Sequence, residues 1–322
     1  MRYIAVFDHF LRQDHRDQIT RIAGELGFSV TYCTTVDDLP ESERGRYEVL
    51  YGNPGPEILH LFPNLKWVCV SSAGVDRHVD DALYPNPDVI LSNSTGSYGV
   101  TISEHVLMMA LMLLRQMPAF QEAAREHRWH GPLPTRSIFG SRVTMLGTGD
   151  IGTAVARRMK ALGAVSVTGV RRTLRPADPA FDRIITFREL DEVLPETDIL
   201  VSALPHTAET AGVLSRERIG LLPGGAILIN VGRGTALDQE ALMDALRSGH
   251  LAGAALDVMV PEPLPADHPL WTTPNLLLTP HISGNMSLDH TCDVDVDFFC
   301  EDLERFARGL PLLRAVDRKR GY

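Results

Sequence analysis

The stretch RVTMLGTGDIG, Arg142–Gly152, decides the fold. Arg142–Leu146 reads as a short apolar strand, and from Asp150 to Leu162 apolar residues recur at helical spacing. Between them stand Gly147, Gly149 and Gly152, a G-x-G-x-x-G pattern. The pattern alone is weak in a chain with 26 glycines. It becomes specific when a strand runs into it and a helix runs out of it, as in a dinucleotide-binding βαβ unit. Gly147 permits the tight turn, Gly149 lets the backbone approach a pyrophosphate, and Gly152 lets the helix pack closely on the strand. The N–H groups of Thr148, Gly149, Asp150 and Ile151, at the positive end of the helix dipole, are then the phosphate ligands.

Working outward, the same alternation continues in both directions. Downstream, apolar runs at Val165–Val170, Arg183–Ile185, Ile199–Ala203, Ala226–Val231, Gly253–Val258 and Leu276–Thr279 alternate with helical stretches such as Gln239–Ser248. Seven strands with crossovers predict a Rossmann-type sheet. Upstream, Tyr3–Phe7, Phe28–Tyr32, Tyr47–Tyr51, Lys66–Val70 and Val89–Leu91 read as buried parallel strands, each bounded by Gly, Pro, Asn or Asp. A helix over Arg16–Leu26 stops at Gly27. An apolar helix over Thr101–Met117 is expected to end at Pro118, with a second one reaching about His127. The tail from Ser287 to Arg308 is amphipathic and is capped by Gly309.

With 322 residues, 44% hydrophobic and 22% charged, the chain suits two domains that need no staples. A formal net charge of -10 argues against nucleic acid or an anionic membrane as a partner. The longest apolar run, Val106–Leu114, falls far short of the roughly 18 residues of a membrane span. Asp8 interrupts the opening apolar run, so the start does not read as a signal peptide. The four cysteines, Cys33, Cys69, Cys292 and Cys300, form neither a C-x-x-C pair nor a metal-ligand spacing. Buried, reduced thiols in a cytoplasmic protein that binds no metal are expected.

After Val165–Val170 the chain reads GVRRT, which puts Arg171 and Arg172 about 20 residues past the glycine turn, where an NAD site usually places an acidic residue for the ribose. Two guanidinium groups there suit a 2′-phosphate and therefore NADP, with NAD still possible. The plain alternative is a solvated basic loop.

Further motifs complete a resemblance. GTGDIG, SSAGVD (Ser71–Asp76), LPHTAET (Leu204–Thr210), NVGRG (Asn230–Gly234), LDVMVPEPLP (Leu256–Pro265) and TPHISG (Thr279–Gly284), in that family's arrangement, resemble the D-isomer-specific 2-hydroxyacid dehydrogenases over essentially the whole chain. The closing VDRKRGY and the missing acidic residue are most similar to the bacterial glyoxylate/hydroxypyruvate reductase A type. The resemblance implies an α/β protein with two doubly wound parallel-sheet domains. One is a Rossmann cofactor domain over 99–287, the other a flavodoxin-like substrate domain built from 1–98 and 288–322. It implies hydride transfer between NAD(P)H and a small 2-keto acid or D-2-hydroxy acid. It also implies a homodimer formed through helices in about Thr101–Arg128.

Site roles follow from the same resemblance. Arg233 would bind the substrate carboxylate and polarise its carbonyl, and His281 would give the carbonyl oxygen its proton. Glu262 would hold the imidazole and favour its charged form. Backbone N–H groups at Ala73 and Gly74 would take the carboxylate's other side. Leu204, Pro205, Val231, Asp257 and Gly284 would line the cofactor, with Asp257 and the backbone near Val231 orienting the nicotinamide amide. The chemistry agrees, because hydride addition builds negative charge on oxygen, which a fixed cation and a proton donor should face. Tyr51–Pro54, Tyr98 and Trp129 are expected toward the substrate. The rival reading is a dinucleotide-sensing binding protein of the C-terminal binding corepressor type, whose members keep the Arg–Glu–His set but carry docking extensions.

Overall fold

The computed structural model describes residues 2–174 and 178–321. Met1, residues 175–177 and Tyr322, which fall inside the domain ranges expected above, lie outside the described residues. The chain divides into two compact units, Met1–Tyr98 with Asn285–Tyr322, and Gly99–Gly284. The strands are β1 (Arg2–Phe7), β2 (Phe28–Cys33), β3 (Tyr47–Gly52), β4 (Trp67–Val70), β5 (Ile90–Asn93), β6 (Arg142–Leu146), β7 (Ser166–Arg171), β8 (Arg183–Thr186), β9 (Ile199–Ser202), β10 (Ile227–Asn230), β11 (Gly253–Leu256) and β12 (Leu276–Leu278). The helices are α1 (Gln13–Glu25), α2 (Gly99–Leu114), α3 (Met117–Arg125), α4 (Asp150–Ala161), α5 (Leu190–Val193), α6 (Arg216–Leu221), α7 (Gln239–Arg247) and α8 (Asp289–Ala307).

In the first unit all five strands are parallel, in the order β2-β1-β3-β4-β5, the flavodoxin-like order. Its core is aromatic. The rings of Tyr51 and Phe299 stack at 3.9 Å and 6°, and Trp67 stacks on the same phenylalanine at 5.3 Å. The Trp67 indole N–H donates to the Ser92 hydroxyl at 2.8 Å, so the largest core side chain carries no unmet polar group. α1 ends at Glu25, and the chain turns away two residues later at Gly27, whose φ of +81° suits a residue without a Cβ.

In the second unit seven parallel strands run β12-β11-β10-β9-β6-β7-β8, the Rossmann order with one strand added beyond β11. β9, β10 and β11 are buried at every position, as a sheet covered on both faces requires. α2 packs on α4, β10 and β11. A Cβ at Gly253 would come within 2.8 Å of the Leu113 side chain, which is how closely that helix lies on the sheet. α7 starts at Asp238, whose carboxylate accepts the Ala241 N–H at 2.9 Å, a cap worth about 1 kcal/mol.

One expectation fails here. Pro118 does not end α2. The helix stops at Leu114, Gln116 takes a left-handed φ of 56°, and Pro118 sits in the first turn of α3. Its missing N–H is harmless there, because first-turn donors have no partner inside the helix. No helix of the described residues is long and apolar enough to cross a membrane.

The four cysteines are free and buried. Burial pushes the Cys33 and Cys300 thiols up to about 12 and that of Cys292 to about 11, and it raises Cys69 as well. Because the thiolate is the reactive form, a disulfide reagent at pH 8 is expected to label none of them in the folded protein and all four in guanidinium. Rapid labelling of the native protein would mean that one of these thiols is accessible.

Candidate active site at the strand ends of the second unit

In an open parallel sheet, ligands bind beyond the carboxyl ends of the strands, where the strand order reverses. In the second unit that reversal lies between β6 and β9. Most candidate residues of this unit sit just past strand ends: Gly147 after β6, Arg171 closing β7, Leu204 and Pro205 after β9, Val231 and Arg233 after β10, Asp257 after β11, and His281 after β12.

The glycine turn has the shape a dinucleotide needs. Gly147 has φ +95°, and a Cβ on it would meet the Ala203 carbonyl oxygen at 2.9 Å, with Leu204 just behind at 3.6 Å. A Cβ on Gly152 would lie 2.0 Å from the Gly147 carbonyl oxygen, so helix and strand touch there. At Gly149 nothing stands within 4 Å of the Cβ position, which leaves the approach open. No side chain caps the first turn of α4. The Thr148 hydroxyl is buried with no hydrogen-bond partner among the described residues. Uncapped N–H groups, an orphaned hydroxyl and an open glycine together fit a pyrophosphate. Asp150 and Ile151 open α4, Arg171 is half-buried at the end of β7, and Arg172 is exposed.

Arg233 is set by its neighbours' lack of side chains. A Cβ on Gly232 would lie 2.5 Å from the Leu204 nitrogen, and one on Gly234 would lie 2.3 Å from the Met259 carbonyl carbon. The chain can pass this narrow gap only as G-R-G. Asn230, fully buried, holds both ends of the turn: its amide donates to the Arg233 carbonyl at 3.0 Å and its oxygen accepts the Gly232 N–H at 3.2 Å. The Val231 N–H donates to the Ser202 carbonyl at 2.9 Å, and the Arg233 guanidinium donates to the Gly232 carbonyl at 2.8 Å. Asn230 was not among the expected residues. Its signal was an Asn two residues before a glycine, the pattern of a side chain that closes its own turn.

His281 and Glu262 meet. The imidazole Nδ1 stands 2.8 Å from Glu262 Oε2, and Glu262 Oε1 accepts the Met259 N–H at 2.8 Å. Both side chains are partly exposed, His281 by 48% and Glu262 by 36%, so the imidazole is open to a ligand while its partner is fixed. His281 has φ 54°, which costs about 1–2 kcal/mol in a residue with a Cβ. Asp257 holds it there. This wholly buried carboxylate accepts the Ile282 N–H at 2.9 Å, the Ser283 N–H at 3.0 Å and the Thr279 hydroxyl at 2.6 Å, and its carbonyl accepts the His281 N–H at 2.8 Å. The Thr279 hydroxyl thus gives its proton to Asp257 and accepts at 3.1 Å from His105 Nε2. Burial pushes the His105 imidazole down, against the pull of Asp257. Asp257 therefore anchors the histidine loop, a role the sequence reading did not assign, and Gly284 closes that loop as the last residue of the unit. The Pro205 carbonyl accepts the Thr210 hydroxyl at 2.6 Å.

Ala73 and Gly74 belong to the first unit, in the turn after β4. Two of the aromatic residues expected toward the substrate are placed otherwise. Tyr51 is 1% exposed, stacked in the core with its hydroxyl on Asp295 at 2.8 Å. Tyr98 is buried with its hydroxyl on the Ser71 carbonyl. Trp129 stands 99% exposed on the chain's surface. Each tyrosine hydroxyl found a partner inside the fold, which is what makes a buried tyrosine tolerable.

A family model described as "D-isomer specific 2-hydroxyacid dehydrogenase, NAD binding domain" matches residues 107–283. The chain is 32% identical to glyoxylate/hydroxypyruvate reductase A of Salmonella typhimurium over 301 residues, 88% of this chain and 93% of that protein. Among solved structures it is similar to a D-isomer specific 2-hydroxyacid dehydrogenase of Xanthobacter autotrophicus in complex with NADPH and MES, at 33% identity, 99% coverage of each chain and a TM-score of 0.83. It is also similar to an NADPH-dependent glyoxylate/hydroxypyruvate reductase of Sinorhizobium meliloti in complex with NADP and sulfate, at 28% identity, full coverage of both chains and a TM-score of 0.82.

Proposed function

The chain belongs to the D-isomer specific 2-hydroxyacid dehydrogenase family, and from that premise we propose that it is a 2-keto acid reductase of glyoxylate/hydroxypyruvate type that prefers NADPH. The observation that carries the reading is the His281–Glu262 pair at 2.8 Å, set on the same strand ends as the G-R-G turn and the glycine-rich turn. A nicotinamide bound at these strand ends would supply the hydride. Arg233 holds the carboxylate and draws charge toward itself as it builds on the keto oxygen. His281 gives that oxygen a proton from Nε2. Its Nδ1–H stays on Glu262, which fixes the ring's orientation. The Gly147–Gly152 turn would hold the pyrophosphate, and Asp257 keeps the histidine loop in register. The family match and the reductase and dehydrogenase relatives favour this reading over the corepressor one.

The cofactor preference rests on Arg171 and Arg172. Arg171 ends the strand next to β6, at the rim where a ribose 2′-phosphate would lie, and two of the similar structures hold NADPH or NADP. A hydrogen bond to a charged group contributes about 1.5–3 kcal/mol, and solvent at the rim reduces it, so a preference of about 10- to 100-fold in kcat/KM is expected. Changing both arginines to alanine is expected to remove most of that preference and leave NADH turnover in place. Added salt should weaken the preference in the unchanged protein. A wild type that favours NADH would make the pair a solvated loop. A homodimer is part of the same proposal, supported by Met108, Leu111 and Met117, large apolar side chains left exposed on α2 and α3.

A further inference from the structure

In the turn after β4, four successive carbonyls are held from inside the first unit. The Tyr98 hydroxyl donates to the Ser71 carbonyl at 2.5 Å, and the Ser94 N–H donates to the Ser72 carbonyl at 3.1 Å. The Asn93 side-chain amide donates to the Ala73 carbonyl at 2.7 Å, and the Ser72 hydroxyl donates to the Gly74 carbonyl at 2.7 Å. In a planar trans peptide the N–H of the following residue points opposite to the carbonyl. Holding the Ser72 and Ala73 carbonyls therefore turns the Ala73 and Gly74 N–H groups away from the network that fixes them. Neither N–H has a backbone acceptor among the described residues. Successive N–H groups presented this way make an anion-binding concavity.

The donors are themselves immobile. Asn93 closes β5 and is 6% exposed, and its oxygen accepts the Thr95 N–H at 3.3 Å. Its amide is thus oriented by a bond of its own, oxygen toward Thr95 and nitrogen toward Ala73. Ser94 and Ser71 bond the carboxyl of Asp295, a 2% exposed residue of α8 that also accepts the Tyr51 hydroxyl at 2.8 Å. The turn is tied at one end to β5 and at the other to α8.

We propose that Asn93 is a positioning residue for the reaction: by holding the Ala73 carbonyl, its side-chain amide aims the Gly74 N–H at the substrate carboxylate. The proposal rests on the reading that Ala73 and Gly74 take that carboxylate. Asn93 acts only through the Ala73–Gly74 peptide, so its effect belongs to the part all 2-keto acids share.

Asn93→Asp keeps the shape and loses the donor. With NADPH saturating, KM for glyoxylate and for hydroxypyruvate is expected to rise by the same factor, about 2- to 10-fold. The change in kcat should be smaller than that in KM, and the Kd for NADPH, read by fluorescence, should not move. Asn93→Ser keeps a shorter donor and should fall between the two; it carries the same test if the added carboxylate prevents folding. Gly74→Pro, which deletes the N–H itself, separates the two layers of the argument. If Gly74→Pro raises KM and the folded Asn93 variants do not, positioning by Asn93 is overturned and the carboxylate reading stands. If neither changes KM, both fall. Equal losses in kcat, KM and NADPH affinity in the Asn93 variants would assign the residue a structural role only and overturn the proposal.

Discussion

His281→Ala is expected to lower kcat by about 10²–10⁴-fold, the usual contribution of a positioned general acid. Two structural points sharpen the expectation. Alanine, like histidine, carries a Cβ, so the left-handed backbone at 281 is no more strained in the variant, and the Asp257 anchor of Ile282 and Ser283 is untouched. The loss should therefore report the missing proton and not a displaced loop. NADPH affinity should stay within about twofold of wild type, a difference near 0.4 kcal/mol, because the glycine turn proposed to hold the pyrophosphate is built from β6 and α4. Stopped-flow reduction of glyoxylate, with cofactor binding followed separately, checks both halves. A loss of less than tenfold would remove His281 from the proton-donor role.

Arg233→Lys is expected to lower kcat/KM for any 2-keto acid by about 10- to 150-fold, the equivalent of one charge-assisted hydrogen bond of 1.5–3 kcal/mol. The charge is kept and the planar fork is lost, so KM should rise and kcat should fall together. The flanking glycines leave no room for the backbone to shift toward the shorter reach of lysine, since Leu204 and Met259 close both sides of the turn. The companion measurement uses ketones and aldehydes without a carboxylate. Acetone and benzaldehyde should be poor substrates of the wild type and no worse for the variant. Efficient turnover of either by the wild type would rule out carboxylate anchoring by Arg233.

Local patterning made most of the fold legible. β6 spans Arg142–Leu146 and α4 starts at Asp150, because apolar period and glycine punctuation agree there. The two misread tyrosines share one cause: a partner far away in the chain. Tyr51 looked like a substrate contact because it begins a loop motif, but its hydroxyl is satisfied by Asp295 from α8. Tyr98 is likewise met by Ser71. Pro118 looked like a stop signal, since a proline that ends one helix and one that starts the next differ only in where the helix bonds fall. At the candidate site, the motifs brought out the two residues that meet, Glu262 and His281, and the tight turn around Arg233. The roles of Asn230 and Asp257 were not, because a buried polar side chain declares its work only through the backbone groups it meets.

The two crossings, at Tyr98–Gly99 and Gly284–Asn285, make the first unit discontinuous, and that has a consequence for the order in which the protein is made. Chains emerge N-terminus first, at about 5–20 residues per second. β1 to β5 leave the ribosome before any of residues 99–284, yet the face bearing Ile4, Tyr51 and Trp67 is covered by Val296, Phe299 and Leu303 of α8. For on the order of ten to forty seconds of synthesis, that half-covered sheet waits, while the contiguous second unit has every strand of its own sheet to hand. The first five strands made belong to the unit that is last to be completed, and this interval is when its aromatic core is open to chaperones and to other nascent chains.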